Sequence, residues 1–255
     1  YTLLGHIPNS IGYYPQFMPL QYTYAQLFFG INDHAARAGL IFLHVGSVLA
    51  AFVLGSRLFN RRVGLILAAI WALHPHLGEW SRAGDLEIPL AYLFTLAAAY
   101  YLTAWRALNR RYALIAGLML GIGLWIKPTM GAFLLGMALM GLFELLRVRF
   151  DFKRLLPRLE IALLTGIAAV PLGAVWYLRN LLLGHNPVDF PSGFWQTLAA
   201  QSGLEFGWVL LALSLVLVYW LTRRDRPHMG LFLIGALLMI GALVSTLLPY
   251  WALSL

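Results

Sequence analysis

Two carboxylates and an arginine stand at the entrance to a long apolar run, in the stretch SRAGDLEIPLAYLF (81–94). Charge is disfavoured so close to hydrocarbon, so Asp85 and Glu87 are candidates for a general base or a metal ligand. The same residues suit a helix start, with Asp85 as the N-cap, Pro89 in the first turn and Arg82 paired to Asp85. On helical spacing Asp85 and Glu87 point about 200° apart, which argues against a single carboxylate dyad. The residues alone leave both interpretations open.

Two cations, Lys127 and Arg179, each stand at the end of an apolar run. An arginine binds a phosphate group through paired hydrogen bonds and a lysine binds it as a point charge, so the two could hold a lipid phosphate. Equally, the helix dipole favours a cation at a helix C-terminus, from which the side chain can extend to the membrane interface. Spacing does not decide between the two roles.

The histidines give little support for a metal site. His74 and His76, in HPH (74–76), point in different directions on a helix and have no third ligand nearby, so we expect them at a membrane interface. His44 lies within an apolar run, where a histidine usually hydrogen-bonds to a neighbouring helix. The chain has no cysteine, which excludes disulfides and thiolate metal sites.

The elements that must position these residues are transmembrane helices. Of 255 residues, 61% are hydrophobic and 11% charged, whereas soluble chains average about 45–50% apolar and about 25% charged. A spanning helix needs roughly 20 mostly apolar residues. The candidate spans are 36–57, 63–78, 87–105, 112–126, 128–146, 159–178, 205–222 and 229–252. Between the fourth and fifth, Pro128 predicts a tight break, and the predicted fold is an all-α polytopic transmembrane bundle.

Positive charges set the predicted orientation. Fourteen of the 18 Lys and Arg residues fall in alternate loops, which the positive-inside rule places in the cytoplasm. These residues are Arg57, Arg61, Arg62, Arg106, Arg110, Arg111, Arg147, Arg149, Lys153, Arg154, Arg158, Arg223, Arg224 and Arg226. The net charge of +8 therefore reports topology, and no nucleic-acid partner is expected. Arg82, Asp85, Glu87, Lys127 and Arg179 fall on the opposite, extracytoplasmic side.

We expect a single transmembrane domain over residues 1–255. It would comprise an outer amphipathic loop (1–35), six spans (36–178), a second outer loop (179–204) and two further spans (205–252). The stretch PQFMPLQYTYAQLFFG (15–30) is aromatic and too polar to span, so it should form short helices in the membrane interface. Segments 8–30 and 179–204 should together cover one cavity mouth suited to an amphiphile such as a lipid.

Five stretches stand in order along most of the chain. They are YPQFMPLQYTYAQLFFGINDHAARAG (14–39), LGSRLFNRRVGLILAAIWALHP (54–75), SRAGDLEIPLAYLF (81–94), GLMLGIGLWIKPT (117–129) and WYLRNLLLGHNPVDFP (176–191). Together they resemble the GT-C superfamily of membrane glycosyltransferases, nearest to its protein O-mannosyltransferase and aminoarabinose-transferase branch. The resemblance implies transfer of a sugar from a polyprenyl-phosphate donor to a protein, lipid or glycan acceptor. The active face would be the extracytoplasmic face of the cytoplasmic membrane.

Residue by residue, the resemblance implies that the catalytic acid is Asp85, with Glu87 as the near alternative, and that Lys127 and Arg179 contact the carrier phosphate. Arg82 joins that phosphate-binding set. No metal-ligating residue is assigned, although a divalent metal stays open as a cofactor. The family's principal acidic motif lies in the first outer loop, ahead of the aromatic stretch, and this chain begins after it. We expect either a preceding segment that carries that acid or a protein that has lost it.

Two other classes of function stay open. A transferase-like fold could serve as a non-catalytic accessory or structural subunit of a larger membrane complex, with other membrane subunits as partners beside the membrane lipids. A lipid or solute transporter is the third class. It is disfavoured because the sequence shows no inverted repeat and no Gly/Pro-broken helix pair in matching halves. An acidic pair ahead of the aromatic stretch would favour the enzyme over the accessory subunit.

Overall fold

The computed structural model describes residues 15–183, 216, 227–232 and 234. From residue 17 to 182 the chain forms eight α-helices and one 3-10 turn, without a strand. The helices are α1 (Phe17–Phe29), α2 (Asp33–Leu58), α3 (Arg61–Leu73), α4 (Pro75–Ala83), α5 (Glu87–Ala107), α6 (Arg110–Ile126), α7 (Ala132–Arg147) and α8 (Phe152–Leu182), with the 3-10 turn Pro128–Gly131 before α7. Residues 227–232 are also helical. The all-α prediction is confirmed.

Four helical segments of the described part are long and apolar enough to cross a membrane. They are Asp33–Leu58, Glu87–Ala107, Pro128–Arg147 and Phe152–Leu182. They cover the predicted spans 36–57, 87–105, 128–146 and 159–178, and the chain is an integral membrane protein. The predicted spans 205–222 and 229–252 lie largely outside the described residues. So does most of the 179–204 loop, and with it the predicted cover over a cavity mouth.

The second predicted span, 63–78, is wrong as a single helix. α3 has 13 residues and ends at Leu73, because His74 takes an extended backbone ahead of Pro75, which begins α4. α6 has 17 residues and ends at Ile126, because Lys127 is likewise extended (φ −154°, ψ 138°) before a proline. The break predicted at KPT (127–129) is therefore confirmed.

Contacts divide the chain into two compact units, residues 1–130 with 161–188, and residues 131–160 with 189–255. In the first unit α2 packs against α3 and α5, α5 packs against α6, and α1 lies against α2 and α6. Asn32, Asn60 and Asn109 begin α2, α3 and α6 by accepting hydrogen bonds from first-turn N–H groups. The predicted single domain stays a prediction.

α6 and α8 run parallel along a seam of small residues in the first unit. A Cβ on Gly117 would lie 2.3 Å from the carbonyl oxygen of Thr165, and a Cβ on Gly121 would lie 2.6 Å from that of Ala169. Contacts of this kind let helix backbones approach closely within a membrane. Because residue numbers rise together on both helices, α6 and α8 finish at the same end of the unit. We call it the Lys127 end.

The second unit packs α7 against residues 227–232. Phe133 on α7 meets Phe232 edge-on, with 4.9 Å between ring centroids. Gly136 makes room for the same ring, since a Cβ there would lie 2.7 Å from a ring carbon of Phe232. One turn before the end of α7, Glu144 is fully buried.

Candidate active site

The turn between α4 and α5 carries Asp85. α4 ends at Gly84 in the left-handed region (φ 88°), which glycine adopts readily, and the N–H groups of Gly84 and Asp85 donate to the Trp80 carbonyl at 3.2 and 3.1 Å. α5 begins at Glu87, with Leu86 at the N-cap position and no side-chain cap bond. The N-cap interpretation of Asp85 is therefore wrong. The angle drawn from helical spacing does not apply either, because Asp85 lies before the helix.

Glu87 and Lys127 form an ion pair between the start of α5 and the end of α6. The lysine side chain is 12% exposed and the glutamate side chain 39%. Antiparallel packing of α5 and α6 brings the two together, since Tyr100 and Tyr112, at the opposite ends of these helices, also meet with 5.7 Å between ring centroids. The pair engages the charge of Lys127, so any phosphate bound there would share the lysine with Glu87.

Asp85 is partly buried beside this ion pair. Burial raises the pKa of its carboxyl, the negative charge of Glu87 raises that pKa further, and the positive charge of Lys127 lowers it. Two carboxylates thus stand near one lysine, and the ion pair of that lysine is with Glu87. Asp85 is left incompletely compensated, which is a common condition of acids and bases at functional sites.

Arg82 and Asp85 do not form the ion pair that the sequence suggested. In this region ion pairs join Arg37 to Asp33 and Lys127 to Glu87, and the side chain of Arg82 is exposed. Its carbonyl oxygen instead accepts a hydrogen bond from Nη1 of Arg37 at 3.2 Å. The predicted phosphate role of Arg82 stays a prediction.

Arg179 lies on α8 near the Lys127 end. Its guanidinium is 4.7 Å from the ring centroid of Trp176 and donates to Oδ1 of Asn180 at 2.8 Å. The hydroxyl of Tyr177 donates to the Leu124 carbonyl at 2.9 Å, which holds this part of α8 beside the last turn of α6. The start of α5 and the ends of α6 and α8 therefore lie at the same end of this unit. The phosphate role of Arg179 stays a prediction.

His44 has its predicted helix-to-helix hydrogen bond. Its Nδ1 atom lies 2.7 Å from Oγ of Ser81 on α4, and that hydroxyl also lies 2.9 Å from the Leu77 carbonyl oxygen. His74 stands between α3 and α4 with an exposed side chain. Over the described ranges, no three His, Cys, Asp or Glu residues converge as metal ligands.

Sequence reasoning missed a second charged cluster, which lies in the other unit. Oε1 of Glu144 accepts from Nη2 of Arg147 at 2.7 Å and from Nη1 of Arg158 at 2.5 Å. Oε2 accepts from Nε of Arg147 at 3.0 Å and lies 2.5 Å from Nε2 of His228. The available signal was a lone acid inside the apolar run GMALMGLFELLR (136–147), because an acid within a span needs partners.

Two further residues near Asp85 were also missed, and nothing in their sequence context marks them. The hydroxyl of Tyr22 on α1 donates to the Gly84 carbonyl at 2.9 Å, and Arg37 on α2 binds the carbonyl two residues earlier. Both contacts join segments that are more than 40 positions apart in the chain. Only the folded structure brings them to the turn.

The family model described as dolichyl-phosphate-mannose-protein mannosyltransferase matches residues 17–177, which is more than half of the chain. The matched range runs from α1 into α8 and contains Asp85, Glu87 and Lys127, and it stops two residues before Arg179. No curated protein and no solved structure matches the chain.

Proposed function

This chain belongs to the dolichyl-phosphate-mannose-protein mannosyltransferase family, and from that premise we propose that Asp85 acts as the general base in sugar transfer from a polyprenyl-phosphate donor. The family comprises GT-C-type membrane glycosyltransferases that use lipid-linked donors. Membership therefore favours the transferase over the transporter. The acceptor would present a hydroxyl or an amine.

One observation carries the proposal, the charge imbalance at the start of α5. Asp85 and Glu87 both lie near Lys127, whose ion pair is with Glu87. A general base works best when its pKa lies near the operating pH. Burial and the charge of Glu87 raise the pKa of Asp85 in that direction. Asp85 therefore suits proton transfer better than its neighbour does.

The reaction needs one proton transfer and one displacement. The carboxylate of Asp85 takes the proton from the acceptor O–H or N–H, and the electron pair so released forms the bond to C1 of the sugar. The bond between C1 and the carrier phosphate oxygen breaks, and the polyprenyl phosphate leaves with that electron pair. Direct displacement of this kind inverts the configuration at C1.

The proposal assigns three cations to the carrier phosphate, namely Lys127, Arg179 and Arg82. Glu87 would orient the side chain of Lys127, and Arg179 would supply a planar guanidinium suited to paired hydrogen bonds. Preorganised cations stabilise the charge that develops on a departing phosphate. Support for their joint action comes from the convergence of the ends of α6 and α8, together with the start of α5.

We place this chemistry at the extracytoplasmic face of the cytoplasmic membrane. Support comes from the opposite end of the first unit, where Arg57 lies 4.7 and 4.9 Å from the ring centroids of Tyr100 and Tyr112. Further arginines flank that end at the start of α3 and of α6. The positive-inside rule assigns an arginine-rich end to the cytoplasm, which leaves the Lys127 end outside.

Asp85→Asn tests the proposal. The full chain, reconstituted in liposomes, would be given polyprenyl-phosphate mannose and a membrane extract as the source of acceptor, and release of polyprenyl phosphate would be measured. We expect turnover to fall by roughly 10²–10⁴-fold without a decrease in the unfolding temperature. Glu79→Gln, an acid on α4, is the control. Wild-type turnover by Asp85→Asn combined with Glu87→Gln would refute the catalytic role and favour the accessory-subunit alternative.

A further inference from the structure

The turn that presents Asp85 is held by two side chains from distant parts of the chain. Tyr22 on α1 donates its hydroxyl proton to the Gly84 carbonyl at 2.9 Å, and Arg37 on α2 donates from Nη1 to the Arg82 carbonyl at 3.2 Å. We propose that Tyr22 and Arg37 are positioning residues that fix the Asp85 carboxylate for proton transfer. The inference rests on the function proposed above.

These two carbonyl groups need donors from outside their own helix. They lie at the C-terminal end of α4, where the last four carbonyls of a helix have no intrahelical partner. The N–H groups of Gly84 and Asp85 are already bound to the Trp80 carbonyl. A hydroxyl and a guanidinium therefore complete the hydrogen bonding of this turn, and a cation is also favoured by the dipole at that end.

Arg37 fits the turn in shape as well as in charge. A Cβ on Gly84 would lie 3.5 Å from Nε and 3.6 Å from Cδ of Arg37, so the arginine stem packs across the glycine. Asp33, one turn earlier on α2, lies 3.6 Å from Nη2 of Arg37 and steadies the guanidinium. A lysine at position 37 would keep the charge but lose the planar fork of donors.

Tyr22 joins the turn to the Lys127 end of α6. Its helix, α1, is anchored by the buried Met18 and by Phe17, whose ring centroid lies 5.3 Å from that of Trp125. Trp125 is two residues before Lys127, so α1 contacts both sides of the candidate site. Burial raises the pKa of Tyr22, the charge of Arg37 lowers it and that of Asp85 raises it. The net effect is a hydroxyl that keeps its proton as a hydrogen-bond donor.

Loosening this turn would have two measurable consequences. A catalytic group displaced by about 1 Å can lose on the order of 10²-fold in rate. In addition, a carboxylate that moves toward water loses part of the burial that raises the pKa of Asp85, so its ionisation would shift to lower pH. A contact that is merely structural would alter stability without either effect.

Tyr22→Phe tests the proposal because it removes only the hydroxyl. We expect kcat to fall by about tenfold or more, the donor KM to stay within about twofold, and the acid limb of the pH–rate profile to move to lower pH. Arg37→Gln should reproduce this result, with partial recovery in Arg37→Lys. Tyr24→Phe, exposed on the same helix, should behave as wild type. Unchanged kcat and acid limb in both Tyr22→Phe and Arg37→Gln would overturn the proposal.

Amide hydrogen exchange over residues 82–88 separates this inference from the proposed function, because it needs no activity. With Asp85→Asn as the background, Tyr22→Phe should speed exchange of the segment several-fold, about as expected when a local hydrogen bond is lost, and Tyr24→Phe should not. Unchanged exchange would overturn the positioning role even where Asp85→Asn is inactive. Faster exchange alongside a fully active Asp85→Asn would instead refute the function and show that the two side chains hold the turn for another purpose.

Discussion

Glu87 and Glu144 are both paired with cations, but their surroundings differ. Glu144 is 0% exposed and is bound by Arg147, Arg158 and His228. Glu87 is 39% exposed and forms its ion pair with Lys127, beside a second carboxylate, Asp85. Each glutamate belongs to a different unit of the chain. The charge balance is therefore opposite at the two sites: several cationic partners surround Glu144, whereas Glu87 and Asp85 are two acids beside one lysine.

The difference lies in how many cationic partners each carboxylate has. At Glu144 the donors outnumber the single acid, so both oxygens are satisfied and α7 is joined to Arg158 and His228. At Glu87 the acids outnumber the nearby lysine, so one carboxylate is left without an ion-pair partner in the described part of this unit. This difference in the number of cationic partners is the basis of the role proposed for Asp85.

Removing Glu144 should have the largest effect on stability. Glu144→Ala would leave two guanidinium groups close to His228 without a carboxylate, and breaking a buried ion pair costs about 3–5 kcal/mol. The free energy of unfolding, measured by denaturant titration in detergent micelles, should fall by that amount. Glu87→Ala is the matched variant, and it should lose about 1 kcal/mol or less because its pair is partly exposed. Equal losses in the two variants would contradict the comparison.

Filling the seam between α6 and α8 should have the next largest effect. Gly117→Ala puts a Cβ 2.3 Å from the Thr165 carbonyl oxygen, so the helices must separate. We expect a loss of about 1–3 kcal/mol and a reduced turnover, because the ends of both helices move. Gly166→Ala is the control on α8, since a Cβ there meets nothing within 4 Å. A loss of stability in Gly166→Ala as large as that in Gly117→Ala would show that the seam is not responsible.

The pH dependence of turnover should respond with opposite signs to the two members of the ion pair. Glu87→Gln removes a negative charge that raises the pKa of Asp85, so the acid limb should move to lower pH. Lys127→Met removes the cation that lowers this pKa, so the limb should move to higher pH. Both shifts would be measured from pH–rate profiles at saturating donor. Shifts in the same direction would mean that the limb reports a group other than Asp85.

The pKa of Asp85 also fixes the sign of its effect on stability. Its folded-state pKa is raised above the unfolded value, so ionisation of this group opposes folding. The penalty is absent below the unfolded pKa and develops as the pH rises through the raised folded value. The gain in stability of Asp85→Asn over wild type should therefore be larger at neutral pH than at acid pH, as measured by the same denaturant titration. Glu79→Gln again serves as the reference.

The smallest effect is expected at Arg57, a cation held by rings instead of a carboxylate. Its guanidinium lies over the rings of Tyr100 and Tyr112. Arg57→Met keeps an apolar stem and loses the cation–π interaction that one guanidinium shares between the two rings, worth about 0.5–1 kcal/mol at an exposed site. Thermal unfolding should register a slight decrease, and turnover should be unchanged. A loss of turnover would tie this end of the unit to the chemistry at the other end.

Continuous apolar runs made part of the fold predictable. The spans predicted at 36–57 and 87–105 lie within three residues of α2 and α5 at every boundary, and Pro128 indicated where α6 ends. The N-cap prediction for Asp85 failed because a glycine that ends one helix stands directly before the acid that could begin the next. Gly84 closes α4 in the left-handed region, and α5 begins only at Glu87.

The candidate site was predictable only in part, because its contacts are tertiary. Asp85, Glu87 and Lys127 were singled out by type, but the Glu87–Lys127 ion pair joins residues 40 positions apart. The Tyr22 contact with Gly84 spans 62 positions and has no local signature. In contrast, the four-residue spacing of Gly117 and Gly121 was a usable sign of close helix packing. Glu144 could have been found as the lone acid of its span.

Because of the glycine seam, the length of α6 determines where the charge of Lys127 lies. Because the backbones of α6 and α8 touch at Gly117 and Gly121, neither helix can slide to compensate for a change in the other. One residue inserted between Gly121 and Lys127 would carry the lysine about 1.5 Å along the axis and turn it by about 100°, away from Glu87. Substitution at the helix ends changes which charge is present, whereas a single insertion within α6 changes where that charge lies.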